Sequence, residues 1–159
     1  MAKIRKSISI RAPLDQVYEH TTQPENLPEI WPSLVEVSHV KRSADGAHSF
    51  DWVYKMAGVH FKGHSATTEV IKNQRVVVTN EKGIPSTFLW AFSGENGHTK
   101  VILDIDYTLP SKLLDKLAEP LLHRLNEREA ETLLENLKNR MEMGVKASMP
   151  KAPPEMRPR

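Results

Sequence analysis

The stretch "SISIRAPLDQVYEHTTQPENLPEIWPSLVEV", Ser7–Val37, decides how this chain is read. Two strand-like ends, Ile8–Ile10 and Val35–Val37, enclose Pro13, Pro24, Pro28 and Pro32, with Val17, Tyr18, Leu27, Ile30 and Trp31 between them. Proline lacks an N–H and crowds the preceding helical turn, so no long helix fits here. At a helix start that N–H is unpaired anyway, so Pro13 and Pro24 mark two beginnings. Leu14, Val17, Tyr18 and Thr21 then share one face, and Leu27, Ile30 and Trp31 fall at i, i+3 and i+4. Two short, proline-bounded helices are predicted.

Upstream, Ile4, Ile8 and Ile10 alternate with Lys3, Arg5, Ser7, Ser9 and Arg11, the period of a half-buried strand. Downstream, "LVEVSHVKR" runs into "ADGAH", whose Asp-Gly signals a hairpin. "SFDWVYKMAG", "VHFKGHSATTEVI", "RVVVTNE", "STFLWAFS" and "TKVILDIDYTL" follow, separated by short turn-forming segments. Such spacing predicts an antiparallel meander. From Ser111 to about Met143 the chain reads as one helix, kinked at Pro120. Leu114, Leu117, Leu121, Leu125, Leu133, Leu137 and Met141 recur along it at three- and four-residue intervals. The expected fold is α+β: six or seven curved antiparallel strands around a long C-terminal helix, with two short helices between strands 1 and 2. A sheet bent around one helix leaves a gap at one end, and the proline segment is expected to close it as a lid.

The 159 residues suffice for one domain, here 1–143, followed by a Pro-rich basic tail, 144–159, expected to be disordered. That tail holds a net +3 and leaves the body at −1, without the basic stripe that nucleic acid requires. No apolar run approaches a membrane span, and the first ten residues lack a signal peptide's apolar region. With no cysteine either, a cytoplasmic location is the default expectation.

The start "ISIRAPLDQVYEHTTQPENLPEIWPSL", the later "GIPSTFLWAFS…GHTKVILDIDYTLP" and the leucine-rich closing helix resemble the START-like, or SRPBCC, superfamily. That group includes polyketide cyclase/dehydrase-like and birch-pollen-allergen-like proteins. The resemblance covers residues 3 to about 143. It implies a helix-grip fold with an internal cavity for lipids, sterols, quinones or polyketides, and no single activity.

Candidate ligand-binding residues are Phe50, Trp52, Tyr54 and Met56 on one strand, and Phe88, Trp90 and Phe92 on another. Trp31 of the lid, Tyr107, Leu121 and Leu125 complete the set. Rings with polar tips suit a pocket where burial supplies affinity and a hydroxyl or indole N–H supplies orientation. The competing reading is that they fill a solid core. The face of strand 59–71 is ambiguous, so Phe61, Thr67 and Glu69 are inward on one register only. Acid–base chemistry would fall to Tyr54, Glu69, Tyr107 or Arg128; Arg128 and its neighbour Glu129 otherwise keep their charges in water at the edge of the leucine stripe.

His60 and His64 share a strand face but lie about 13 Å apart at ~3.3 Å per residue, too far for one zinc ion. No metal is expected. No phosphate-cradling loop or dinucleotide fingerprint is present, so no cofactor is expected either. Three functions fit: an intracellular carrier or sensor of an apolar small molecule, a polyketide cyclase or dehydratase, and an accessory protein docking on a larger complex. The first fits best, since no nucleophile, base pair or metal site accompanies the rings.

Overall fold

The structure, a computed structural model, describes residues 2–148. Strand β1 (Ala2–Ile10) leads into α1 (Leu14–Thr22), a 3-10 turn at Pro24–Asn26 and the single-turn helix α2 (Leu27–Ile30). Six strands follow: β2 (Leu34–Arg42), β3 (His48–Met56), β4 (Val59–Ile71), β5 (Arg75–Lys82), β6 (Ser86–Glu95) and β7 (His98–Tyr107). The chain ends in α3 (Ser111–Leu114) and α4 (Glu119–Ser148). Every neighbouring pair in the sheet is antiparallel, in the order β1-β7-β6-β5-β4-β3-β2. Strands adjacent in sequence, β1 and β2, therefore occupy opposite edges, and the proline segment crosses the gap between them.

That segment is held by its apolar faces. Val17 and Ile30 are fully buried, and Tyr18 meets Phe92 edge-on with centroids 5.3 Å apart. Pro13 is the N-cap rather than the first helical residue, and its carbonyl accepts the first bond, from Val17 N–H at 3.1 Å. Arg42 of β2 clasps the segment's middle through Gln23 and the Glu25 carboxylate. That bond to Arg42 holds Glu25's carboxyl below its ordinary value.

The C-terminal helix departs from the expected kink. Leu117–Ala118 is not helical, and α4 starts afresh at Glu119, so Pro120 sits in a first turn where its missing N–H leaves nothing unpaired. The break separates the phase of α3 from that of α4, within which four-residue steps drift about 40° each. Leu122, Leu133, Leu134 and Leu137 are buried against the sheet, whereas Leu114, Leu121 and Leu125 are exposed. Residues 144–148, placed in the tail by composition, belong to α4; the rest of the expected disordered tail lies outside the described residues. No helix among the described residues is long and apolar enough to cross a membrane.

Near its C-terminus α4 is tied to the end of β1. Arg11 N–H donates to Glu142 Oε2 at 3.0 Å, and Lys138 Nζ lies 2.7 Å from the same oxygen. These bonds hold the Glu142 carboxyl below the ordinary glutamate value of 4.5. A depressed folded-state pKa gives stability that is complete above the unfolded value and is lost as pH falls through the folded one. Glu142→Gln is therefore expected to lower stability at neutral pH and to flatten the loss of stability below about pH 4.5. Urea midpoints of both proteins across that range test this, and parallel acid limbs would refute it.

Candidate functional site

Alternation puts one side of each strand on the concave face, and that face, α4 and the proline segment line a partly open cavity of ≈ 130 Å³. Phe50, Trp52, Tyr54 and Met56 line it from β3, and Phe88 and Trp90 from β6. Tyr107 lines it from β7 and Trp31 from the segment after α2. Thr21, Thr22, Pro24 and Leu27 join Trp31, so the proline segment forms one wall.

Other expected residues lie elsewhere. Phe92 is buried but stacks behind Trp90, at 6.5 Å between centroids, and against Tyr18. Leu121 and Leu125 are outside the lining because α4's phase is set by Leu133; at 100° per residue they fall about 120° and 80° away from it. On the same wheel Asn126 lies about 20° and Glu129 about 40° from Leu133, and both line the cavity. Arg128, about 140° away, is exposed. The wheel was available in the sequence: four-residue steps drift about 40° each, so the stripe from Leu121 to Leu137 does not stay on one face.

Strand β4 faces inward with Phe61, Gly63, Ser65 and Thr67, of which Ser65 and Thr67 reach the cavity. Strict alternation would continue to Glu69. A bulge between Thr67 and Glu69 shifts the register, so Glu69 opposes Val77 on the outer face and pairs with Arg75 at 3.3 Å. Two of the four acid–base candidates, Glu69 and Arg128, are thus remote from the cavity.

The remaining two are phenols kept protonated. Burial pushes the Tyr54 hydroxyl well above its ordinary value, Glu129's charge adds to this, and the nearby Trp31 and Ser33 donors oppose it. Burial likewise raises Tyr107. Trp31 meets Tyr54 edge-on at 5.4 Å and Phe88 at 5.4 Å. Its indole Nε1 lies close enough to favour the Tyr54 phenolate, yet it forms no hydrogen bond of acceptable geometry and is a buried donor without a partner. Glu129 Oε1 accepts from Ser33 N–H at 2.9 Å, fastening the chain after Trp31 to α4.

Polar residues in the wall went unread in the sequence. Asn80 of β5 is buried: its Oδ1 accepts from Trp52 Nε1 at 3.1 Å and from the Ser65 hydroxyl, and its Nδ2 donates to Ser86 Oγ at 2.9 Å. This network orients the Trp52 indole. Asn80→Leu is expected to strand the indole N–H and the Ser65 hydroxyl, at a cost of about 2–3 kcal/mol measured by urea unfolding. An unchanged stability would mean those groups find other partners.

Outside the cavity, His64 and His39 each contact Asp51 on the convex face, at 2.8 and 2.9 Å. Among the described residues no three histidine or carboxylate side chains converge on a point that would hold a metal ion.

The seven-stranded curved sheet, the long terminal helix and the short helices between the first two strands define the helix-grip fold of the START/SRPBCC superfamily. Within it the chain belongs to the family described as polyketide cyclase / dehydrase and lipid transport, whose model matches residues 1–142. Among solved structures, TTHA0849 from Thermus thermophilus is 24% identical with a TM-score of 0.73, over 93% of this chain and 100% of that one. Zhui aromatase/cyclase from Streptomyces sp. R1128 is 15% identical with a TM-score of 0.75, over 92% and 97%. A START superfamily protein from Mycobacterium smegmatis is 15% identical with a TM-score of 0.72, over 89% and 97%. A search of curated proteins by sequence gave no match. At these identities the structural likeness shows the fold alone.

Proposed function

We propose that this protein binds a small, predominantly apolar molecule carrying one hydrogen-bond acceptor, and that it acts as a carrier or sensor of that molecule. The observation that carries this reading is Trp31 Nε1, a buried donor without a partner, on a ring that lines the cavity. Leaving such a donor unpaired costs about 1–3 kcal/mol, which an acceptor oxygen on a ligand would recover. Size narrows the class. At ≈ 130 Å³ the interior is close to the ~150 Å³ of an apolar cavity that takes up benzene, so a single ring or short acyl chain fits as it stands. Binding is favoured over catalysis because Glu69 and Arg128 lie away from the cavity and the carboxylate that does line it, Glu129, is engaged by Ser33 N–H.

Acetophenone and ethylbenzene, matched in shape and differing by the carbonyl, test this. Both are expected to bind by calorimetry and to alter the fluorescence of Trp31, Trp52 and Trp90, which all line the cavity. Trp31→Phe keeps a ring and is expected to weaken acetophenone about tenfold while leaving ethylbenzene unchanged, the loss of one hydrogen bond of about 1.4 kcal/mol. Equal weakening of both ligands would remove the indole's assigned role. Absence of binding by either would remove the reading.

A further inference from the structure

Tyr107 ends β7 with its ring buried, and its hydroxyl meets two residues of α4. Asn126 Nδ2 lies 3.1 Å from the Tyr107 oxygen and 3.7 Å from Met56 Sδ. A thioether can only accept, so the amide nitrogen belongs on this side and donates one hydrogen to each. The Tyr107 oxygen, already an acceptor, then has its own hydrogen to place. His123 Nδ1 is 2.9 Å away, with the two rings nearly parallel at 10°. A Tyr107 hydroxyl that donates here needs a bare Nδ1, and neutral His123 would then carry its proton on Nε2, which faces Glu127 Oε1 at 3.6 Å.

Adding a proton to His123 reverses the bond. Both ring nitrogens become donors, and the Tyr107 oxygen receives hydrogens from His123 and Asn126 together. Its two lone pairs are filled, and its own hydrogen must leave that pair. Tyr107 lines the cavity, so the hydrogen turns towards it. We propose that His123 is a proton-operated switch on the polarity of the cavity wall: uncharged, it holds the Tyr107 hydrogen; charged, it makes Tyr107 a donor to a ligand's carbonyl oxygen. This rests on the binding reading above and adds a specificity to it, since carbonyl-bearing ligands gain affinity as pH falls.

The surroundings suit the role. The His123 side chain is 29% exposed and so open to solvent, whereas Tyr107 is 4% exposed. Imidazole is the side chain that changes charge near neutral pH. The charged groups around the site are Glu119 and Glu127 on α4 and Lys6 on β1, which lies 3.5 Å from Glu127 and 2.9 Å from Glu131. Elsewhere on the cavity wall the titratable groups are His48, Glu129 and Tyr54, so a variant must isolate the contribution of His123.

Affinities of acetophenone and ethylbenzene measured from pH 8 to pH 5.5 supply the test. The ratio favouring the ketone is expected to rise about fivefold on acidification, and to stay flat in His123→Phe, which keeps the stacked ring and His48. Tyr107→Phe is expected to flatten it as well. Independently of any ligand, imidazole nitrogen NMR shifts are expected to show the Nε2–H tautomer at pH 8, with the Tyr107 ring carbon bearing oxygen shifting at the His123 midpoint. A pH-independent ratio with both ligands bound overturns the switch and leaves the binding reading standing. An Nδ1–H tautomer at pH 8 overturns the switch directly. Failure of both ligands to bind at every pH overturns the binding reading, and the switch with it.

Discussion

Gly63→Ala is expected to destabilise the protein by about 3 kcal/mol or more, although it adds a single methyl group. A Cβ at position 63 would lie 2.2 Å from Trp52 Cζ2 and 2.5 Å from the Lys82 carbonyl oxygen. Gly63 and Trp52 are directly opposed across β3 and β4, and the indole lies over the bare backbone. The carbonyl cannot retreat without opening the junction of β4 and β5, so the indole has to move. Moving it breaks the bond to Asn80 and strands buried polar groups, which adds to the overpacking cost. Gly97→Ala is the control: nothing lies within 4 Å of its Cβ, and only the positive φ of 81° opposes it, worth about 1–2 kcal/mol. Urea unfolding of the two variants, read with tryptophan fluorescence, separates the terms. Equal losses would mean that Trp52 yields freely.

The second large effect concerns α4. Leu137→Ala is expected to cost about 2–5 kcal/mol, because Leu137 is fully buried and its removal leaves a void between helix and sheet. Leu125→Ala should change stability by less than about 0.5 kcal/mol, since that side chain is 42% exposed. Both leucines lie on the same repeating pattern in the sequence. If the two variants lost similar stability, the phase of α4 against the sheet would be wrong, and with it the placement of Asn126 and Glu129 beside the cavity.

Those leucines show where sequence reading succeeds and where it stops. Period-two alternation exposed the inner faces of β3 and β6 because large rings mark every second position there, and the order of elements followed from turn residues and prolines. A register that changes within an element leaves no such trace. Glu69 continues the pattern of Phe61, Ser65 and Thr67, yet one inserted residue turns it to the opposite face. Leu121 and Leu125 continue the leucine stripe, yet each four-residue step drifts about 40° around the helix, so they point outward once Leu133 and Leu137 face the sheet. Asn80 and Ser86 sit at inward positions in their strands, but nothing in their residue type signals burial. Their burial depends on partners contributed by β3 and β4, which only the folded sheet brings together.

The strand order also governs how the molecule is made. Ile4 pairs with Ile105, and every other residue of the first strand likewise waits for a partner near the end of the sheet. On a ribosome adding about 5–20 residues per second, the leading segment is idle for roughly 5–20 s before its neighbour emerges. Until then its isoleucines have no sheet to join, and the prolines behind it keep it from extending into a longer sticky strand. Closure of the sheet is thus a late, long-range event, of the sort that slows folding. The chamber beneath Trp31 takes its final shape only when the last strand and, behind it, α4 have arrived.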